Sequence, residues 1–231
     1  MENTITATYT EPVIKMHNIC KSYGKGSYKV TALTDISFQV EQGEFVAILG
    51  PSGSGKTTLM NIIGLMDASD SGEYYLDGED ITSAKEHTWA RLRNAKIGFV
   101  FQKFNLIPKY NALYNVALPL MMQGKSYRVA KEKARETLRR VGLEERLRHK
   151  PSELSGGQMQ RVAIARALVG GCSLILADEP TGALDQKTGS EVLDFMKELN
   201  NDGCTIIIIT HDVNIASRAD RIVRVEDGRI I

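Results

Sequence analysis

The amino-acid sequence predicts an α/β protein with a mostly parallel sheet, an antiparallel β subdomain at the N-terminus and an inserted α-helical subdomain. Apolar runs that are continuous rather than alternating are typical of strands covered on both faces of a parallel sheet. The chain contains four such runs, at residues 45–49, 97–101, 174–177 and 206–209. Helical patterns come after three of them, at residues 57–65, 158–169 and 191–200. This alternation is the order expected of βαβ units.

The two ends of the chain and its middle depart from that alternation. Residues 13–19 and 33–40 alternate polar and apolar side chains around a turn-rich break at 24–27, which predicts antiparallel strands. Residues 222–231 predict a hairpin with Asp227-Gly228 at its turn. The stretch from Gln102 to Ser155 is mostly helical, so we predict an inserted helical subdomain at approximately 103–157 within one domain of residues 1–231.

Composition and charge limit the classes of function. The 29 basic and 28 acidic residues give a net charge of +1, which offers no electrostatic support for binding nucleic acid. The three cysteines, Cys20, Cys172 and Cys204, are scattered and fit neither a metal site nor a disulfide framework. Residues 1–15 lack the pattern of a signal peptide, and no apolar stretch reaches the ~18 residues of a membrane span. We therefore expect a cytosolic chain unless a partner holds it at a membrane.

A phosphate-binding loop follows the first apolar run. Residues 50–57 read GPSGSGKT and fit the pattern G-x-x-x-x-G-K-[ST], with a predicted strand before them and a predicted helix after. Glycines let backbone N–H groups wrap phosphates, Lys56 reaches the β- and γ-phosphates, and the Thr57 hydroxyl is a magnesium ligand. A P-loop NTPase core is therefore expected. The predicted nucleotide contacts are Gly50, Pro51, Ser52, Gly53, Ser54, Gly55, Lys56, Thr57 and Thr58.

Polar residues end the other apolar runs. Asp178 and Glu179 follow the third run, where Asp178 suits a magnesium partner and Glu179 can accept a proton from an attacking water. His211 ends the fourth run and Gln102 the second. We interpret His211 as a γ-phosphate contact and Gln102 as a contact to magnesium or the water. The alternative is that all four are turn residues; it is weaker because parallel strand ends meet at one ligand-binding edge.

A second anion-binding helix end is predicted far from the P-loop. Ser155, Gly156, Gly157 and Gln158 open the helical pattern of 158–169, with Ser155 as the N-cap. Open backbone N–H groups at such an end bind anions. A chain with one complete phosphate cradle has no evident use for another of its own.

Taken in order, these motifs resemble the ATP-binding cassette (ABC) ATPases along essentially the whole chain. The family's A-loop aromatic corresponds to Tyr23, its Q-loop to Gln102, its signature to residues 154–158 and its switch histidine to His211. The P-loop precedes them, and a Walker B strand ending in Asp178-Glu179 and a D-loop at 183–185 complete the set. The resemblance implies ATP and Mg²⁺ as cofactors, the metal being held by Thr57, Gln102 and Asp178. The implied catalytic residues are Glu179, His211, Gln102 and Lys56.

The family resemblance also offers a use for the second helix end. Two cassettes of this family pack head to tail, and each signature caps the γ-phosphate of ATP held by the other. It implies that Ser155, Gly156, Gly157 and Gln158 contact the ATP of a second copy of this chain, in an isologous dimer.

Finer resemblance is to the bacterial lipoprotein-release and macrolide-export subfamily, through residues 97–108, 115–120 and 177–185. It implies an integral membrane permease as partner and a place on the cytoplasmic face of the plasma membrane. Phe104 and Tyr110 are candidates for permease contact, although most apolar residues after Gln102 fit the core of the helical insert. Gly182 stands where many cassettes have serine, and Ala68-Ser69-Asp70 replaces a proline-containing turn.

Two functions remain in competition. The first is the ATPase subunit of a bacterial ABC transporter, which dimerises around two Mg-ATP and drives a permease of the exporter or mechanotransmission type. The second is a cassette that transports nothing and regulates a membrane protein controlling cell-wall hydrolysis. The soluble cassettes of DNA repair and translation fit badly, because their long coiled coils or paired cassettes are not in this sequence.

Overall fold

The computed structural model describes residues 11–231, apart from the side chain of Ser27. The prediction that the chain begins without a signal peptide falls mostly on residues 1–10, outside the described part. Within residues 11–231, no helix is both long and apolar enough to cross a membrane.

The strands and helices of the parallel core follow the predicted alternation, but the structure also has strands at 71–76 and 79–80 and a helix at 86–96 that the sequence did not predict. The strands are β1 (Ile14–Tyr23), β2 (Val30–Val40), β3 (Phe45–Leu49), β4 (Ser71–Leu76), β5 (Glu79–Asp80), β6 (Ile97–Phe101), β7 (Leu174–Asp178), β8 (Thr205–Thr210), β9 (Arg221–Glu226) and β10 (Arg229–Ile230). The helices are α1 (Lys56–Ile63), α2 (Glu86–Lys96), α3 (Ala112–Met122), α4 (Tyr127–Arg140), α5 (Gly156–Leu168), α6 (Gln186–Asn201) and α7 (Val213–Ala216). Short 3-10 turns lie at Gly26–Tyr28, Glu144–Arg146 and Pro151–Glu153.

Residues 11–231 contain two sheets. A six-stranded sheet has the order β10-β9-β3-β8-β7-β6, in which every pair is parallel except β9 with β10. An antiparallel sheet has the order β2-β1-β4-β5. The predicted α/β class, with a mostly parallel sheet and an N-terminal antiparallel sheet, is confirmed. The β9–β10 hairpin is also as predicted, with Asp227 and Gly228 both at positive φ in its turn.

The central strands are continuous apolar runs because both of their faces are covered. From β3, Val46 and Ile48 join a core with the antiparallel sheet and α1. Phe45 and Ala47 from the same strand join a second core with α5 and α6. Since successive strand residues point to opposite faces, a strand between two cores needs apolar residues at every position.

The stretch between Gln102 and Ser155 contains α3 and α4, which pack with α5 around a third core. That core includes Val116, Leu138 and also Val162 of α5, beyond the predicted boundary at residue 157. Helix α5 also packs on β6 and α6, so it joins the helical insert to the parallel sheet. The exact extent of the inserted subdomain stays a prediction.

Candidate active site

The carboxyl ends of the parallel strands border a cavity of about 590 Å³. The P-loop forms one wall, since Ser52, Gly53, Lys56 and the residues after it line the cavity. The strand ends contribute further side chains, and two other segments complete the wall. The lining residues are Val30, Thr31, Ala32, Ser52, Gly53, Gly55, Lys56, Thr57, Thr58, Asp178, Glu179, Ile209, His211, Asp227 and Gly228.

Glycines let the P-loop pass close to other backbone. A Cβ on Gly50 would lie 2.2 Å from the carbonyl oxygen of Val225. Gly55, at φ 102°, would place a Cβ 2.6 Å from the carbonyl oxygen of Ala32. The loop therefore fits between β2 and β9 only without side chains at these two positions, and α1 begins at the next residue.

Lys56 holds a positive charge at the floor of the cavity. The side chain is buried, and its Nζ donates to the carbonyl oxygens of Gly50 and Pro51, both at 2.7 Å. Burial lowers the pKa of Lys56, while the charges of Glu179 and Asp178 oppose that shift. These contacts fix the ammonium group beside the loop that the sequence predicts to bind phosphate.

Two other side chains of the loop and helix α1 carry hydroxyl groups suited to the site. The Ser54 Oγ is buried and has no hydrogen-bond partner among the described residues. The Thr57 hydroxyl lies in the cavity wall at the start of α1. Because a buried polar atom normally has a partner, Ser54 is a place where a bound group would complete the hydrogen bonding.

Asp178 lies at the end of β7 in the same wall. Burial raises its pKa, the neighbouring Glu179 raises it further, and Lys56 opposes both. The Thr57 hydroxyl and the Asp178 carboxylate give the cavity two oxygen donors of the kind that hard cations such as Mg²⁺ bind. The residues present therefore fit the predicted metal.

Glu179 and His211 form a direct pair, which the sequence did not predict. The Glu179 carboxylate accepts from Thr210 Oγ1 and from the backbone N–H of His211, both at 3.0 Å. The Nδ1 of His211 lies 2.5 Å from Glu179 Oε1. Glu179 itself has φ 43°, and its N–H donates to the carbonyl oxygen of Ile209 at 2.9 Å. Three contacts thus hold this carboxylate over the end of β8, while the His211 ring remains mostly exposed.

Gln102 lies outside the cavity wall given above. Its amide packs against Gly182, where a Cβ would be only 2.6 Å from Gln102 Nε2. The absence of a side chain at Gly182 therefore leaves room for Gln102.

The loop after Gln102 has Phe104 and Asn105 at positive φ. Arg166 of α5 donates to the carbonyl oxygens of these two residues, at 2.9 and 2.5 Å. Helix α5, which begins at the signature, therefore also binds the segment after Gln102 through Arg166.

Tyr23 lies at the rim of the cavity, not in its wall. It pairs with Val30 across β1 and β2, and Val30 lines the cavity. The sequence prediction missed the lining residues 30–32 and 227–228. The Asp227-Gly228 hairpin signal was recognised, but only the fold brings that turn against the P-loop, where Gly228 N–H donates to Ser54 O at 2.9 Å.

The signature residues do not line this cavity. Ser155 caps α5 in a capping box: its Oγ accepts from Gln158 N–H at 3.3 Å, and Gln158 Oε1 accepts from Ser155 N–H at 3.0 Å. Gly157 packs so closely on α6 that a Cβ would lie 2.5 Å from Thr188 Cγ2. Gln158 lines a separate cavity of about 380 Å³ with residues of the 139–146 segment. The predicted contacts therefore include a cavity set, made of the P-loop, Asp178, Glu179 and His211, and a signature set of residues 155–158, while Tyr23 and Gln102 lie outside the cavity wall.

This fold is that of an ATP-binding cassette. The family model described as ABC transporter matches residues 33–182. The chain belongs to this family and is an ABC ATPase, as the sequence resemblance predicted.

The chain is similar to several named relatives. It is 51% identical over 219 residues to the "Uncharacterized ABC transporter ATP-binding protein YknY" of Bacillus subtilis, covering 95% of each chain. It is 48% identical over 221 residues to the "Macrolide export ATP-binding/permease protein MacB" of Pasteurella multocida, covering 96% of this chain. The chain spans only 34% of that MacB protein's length. The resemblance to the macrolide-export subfamily is thereby confirmed.

Among solved structures, the chain resembles a dimeric post-hydrolysis state of the ATP-binding cassette MJ0796 bound to ADP and Pi. The TM-score is 0.84 at 44% identity, with 94% of this chain and 96% of that chain covered. A second dimeric structure of MJ0796, described as a bacterial ABC transporter cassette, also has a TM-score of 0.84, at 45% identity.

Proposed function

We propose that this chain is the ATP-hydrolysing subunit of a bacterial ABC transporter of the export or mechanotransmission type. One observation gives the main support for ATP hydrolysis. A single cavity joins the P-loop, the Asp178 carboxylate and the Glu179–His211 pair at the carboxyl edge of the parallel sheet. Open α/β sheets bind ligands at this edge.

The P-loop residues bind the triphosphate. The N-terminus of α1 and the backbone N–H groups of the P-loop before it favour a bound negative charge. The buried Lys56 ammonium group adds a full positive charge beside them. The Thr57 hydroxyl and the Asp178 carboxylate would hold Mg²⁺, with Gln102 as the further predicted ligand. Bound Mg²⁺ would supply charge neutralisation for the phosphate oxygens.

Glu179 acts as general base on the attacking water. The carboxylate is held by Thr210, by the His211 N–H and by the His211 ring, so it is oriented before the water arrives. It accepts the water proton as the oxygen attacks the γ-phosphate. In this proposal the exposed His211 ring, just after the end of β8, contacts the γ-phosphate.

The signature set contacts the nucleotide of a second copy of this chain. Ser155, Gly156, Gly157 and Gln158 lie outside this chain's own cavity wall, and the related MJ0796 cassette is dimeric in its ADP-bound form. Gly156 and Gly157 precede the first helical donor, Met159, whose N–H donates to Ser155 O at 2.9 Å. Their N–H groups suit an anion brought by the partner.

A membrane permease is the second partner. A groove of about 930 Å³ lies between α2, β6, α3 and α5, and residues lining it include Phe99, Phe101 and Met122. A largely apolar concave surface of this kind suits a short helix of another protein. The MacB relatives combine cassette and permease in one chain, which supports a permease partner and a place at the cytoplasmic face of the plasma membrane. Phe104 and Tyr110 stay predictions for this contact.

The alternative proposal is a cassette that regulates a membrane protein controlling cell-wall hydrolysis. It uses the same ATP chemistry and the same groove, so the residues above serve both functions. Identifying the membrane protein that copurifies with the chain would separate the two proposals.

Replacing Glu179 by Gln tests the proposed ATPase mechanism. The substitution removes the basic carboxylate but keeps its shape, so the rate of ATP hydrolysis should fall by about 10²–10⁴-fold. Mg-ATP should then hold a stable dimer, measured as mass in solution. The exposed Glu198→Gln on α6 is the matched control and should behave as the wild type. Hydrolysis by Glu179→Gln at the wild-type rate, or a monomer saturated with ATP, would contradict the proposal.

A further inference from the structure

A charged cluster fixes the ring of Tyr23 from outside the cavity. Tyr23 and Lys21 lie on β1, and Asp67 lies four positions after the last residue of α1. The Tyr23 hydroxyl donates to Asp67 Oδ2 at 2.7 Å, and Lys21 Nζ donates to Asp67 Oδ1 at 2.8 Å. One carboxylate therefore holds both side chains, one on each oxygen.

Further contacts hold Lys21 and Asp67 in place. Lys21 is only 8% exposed, and its Nζ also donates to the carbonyl oxygen of Ala68 at 2.6 Å. The same Nζ lies 5.1 Å from the centroid of the Tyr23 ring. Asp67 Oδ1 accepts a second bond from the Ala68 N–H at 2.8 Å. The ring is thus held at its hydroxyl and contacted on its face by a buried ammonium group.

The charge states follow from the same contacts. Burial would raise the pKa of Asp67, but hydrogen bonds from Lys21 and Tyr23 outweigh it and leave that pKa lowered. Burial and the bond to Asp67 raise the pKa of Tyr23, and the Thr58 side chain opposes the rise. Asp67 therefore stays ionised and Tyr23 stays a hydrogen-bond donor at neutral pH.

The position of the ring suggests what it serves. Tyr23 is 42% exposed although its hydroxyl is bound, and its pairing partner Val30 lines the phosphate-binding cavity. Helix α1 begins at Lys56 on the phosphate side, and Asp67 follows the other end of this helix. The stretch from Lys56 to Asp67 therefore carries the P-loop lysine at its start and the carboxylate that binds the Tyr23 hydroxyl at its end. An exposed aromatic face at the rim of a nucleotide cavity is suited to stack on a base.

We propose that Asp67 and Lys21 are positioning residues that fix the Tyr23 ring as a stacking surface for the base of the bound nucleotide. The inference rests on the proposed function, because Asp67 and Lys21 would act on the nucleotide only through the Tyr23 ring at the same cavity. A ring that is already fixed loses little side-chain freedom when the base stacks on it, so binding is stronger than to a mobile ring. The cluster therefore affects the binding of the base and leaves the binding of the triphosphate unchanged.

The test measures equilibrium binding of ATP and of inorganic tripolyphosphate to the whole chain. Asp67→Asn removes the charge that holds Lys21 and weakens the acceptor for Tyr23. We expect about two- to tenfold weaker ATP binding, since the base must then order a mobile ring, with tripolyphosphate binding unchanged. Tyr23→Phe, which loses only the hydroxyl and leaves the Lys21–Asp67 pair intact, should weaken ATP binding in the same selective way.

A double-mutant cycle separates positioning from general damage. In a Tyr23→Leu background, Asp67→Asn should cause no further loss of ATP affinity, because the ring it positions is gone. Asp77→Asn is the matched control: Asp77 also accepts from a lysine, Lys96, at 2.7 Å, but makes no bond to Tyr23 in the described structure. It should bind ATP as the wild type does.

The outcomes discriminate between the two proposals. Unchanged ATP affinity in Asp67→Asn, or an equal loss for ATP and tripolyphosphate, would overturn the positioning role while the proposed ATPase function stands. An additive loss in the Tyr23→Leu background would overturn it as well. Failure of the wild-type chain to bind ATP at all would instead overturn the proposed function and this inference with it.

Discussion

Asp178 is a carboxylate whose surroundings disfavour its ionised form. Burial raises its pKa first and the Glu179 charge second, and Lys56 compensates only in part. A carboxyl group whose pKa is higher in the folded than in the unfolded protein lowers the free energy of unfolding at pH values above its folded-state pKa. This penalty disappears below the ordinary value of about 4, where both states are protonated. The site therefore holds unfavourable free energy that a bound cation would relieve.

We predict that Asp178→Asn raises the melting temperature of the nucleotide-free protein by a few degrees at neutral pH. The gain should vanish as the pH falls below about 4, which thermal unfolding at a series of pH values would show. Mg-ATP should stabilise the wild type more than the variant, because the variant lacks the proposed metal ligand.

Asp80 gives the control for this prediction, because bonds from the N–H and hydroxyl of Thr82 lower its pKa. Asp80→Asn should not raise the melting temperature. A melting temperature for Asp178→Asn at or below that of the wild type would show that the carboxylate is not destabilising.

At the residue scale, the sequence identified the chemistry of side chains better than their partners. Asp178 and Glu179 were recognised from their place after an apolar run. The Glu179–His211 pair was not, because it depends on the register that aligns Asp178 of β7 with Ile209 of β8. That register is set by packing across the sheet and leaves no mark in either segment alone.

At the scale of elements, prediction succeeded where burial imposes a pattern. The central strands were predictable because two cores cover them. Helix α2 was missed because its one buried residue, Leu92, gives no apolar period. The beginning of α6 was missed for a similar reason: its first turns at 186–190 are polar, and the helix starts from Asp185, whose carboxylate accepts from Thr188 N–H at 3.0 Å.

The contact between α5 and α6 leads to a prediction about Gly157. A Cβ there would lie 2.5 Å from the Thr188 methyl group. Gly157→Ala should therefore lower the free energy of unfolding by roughly 1–3 kcal/mol, as overpacking does, although alanine favours a helix more than glycine. Denaturant unfolding monitored by circular dichroism would measure the loss.

Thr188→Ser provides the compensating change for this prediction. Serine removes the methyl group but keeps the hydroxyl that donates to Asp185 Oδ2 at 2.6 Å. The double variant should regain most of the lost stability. If Gly157→Ala alone is as stable as the wild type, or if the double variant regains nothing, the close packing of α5 on α6 is not what excludes a side chain at residue 157.

For the whole molecule, the P-loop and the strand-end residues of the site were predictable, and the residues that close the rest of the cavity wall were not. The P-loop is one continuous segment with its own sequence pattern. Asp178, Glu179 and His211 were expected at the same edge, but other parts of the cavity wall come from residues 30–32 of β2 and from the 227–228 turn, which are far apart in the chain. They meet because the antiparallel sheet lies over the P-loop, where a Cβ on Gly228 would be 2.6 Å from Ala32 O. Only the packing of the two sheets determines that contact.

The separation of the signature from the cavity leads to a prediction for the whole assembly. In a head-to-tail dimer each ATP site combines the P-loop of one copy with the signature of the other. Lys56→Ala and the exposed Ser155→Arg should each abolish hydrolysis alone, because every site of either homodimer carries one lesion. In a mixed dimer both lesions fall in one site and the other site is intact. In an equal mixture about half of the dimers are mixed, and each mixed dimer has one intact site of its two. The mixture should therefore regain about a quarter of the wild-type ATPase rate.

Mixing Lys56→Ala with Glu179→Gln is the matched control for this experiment. Both lesions then lie on the P-loop side, so each site of the mixed dimer keeps one of them and no activity should return. Recovery in the first mixture without recovery in the second requires that the signature of one copy serve the ATP of the other. No recovery in either mixture, with mixed dimers present by mass, would mean that Ser155 serves its own chain's nucleotide. The head-to-tail arrangement would then be wrong for this protein.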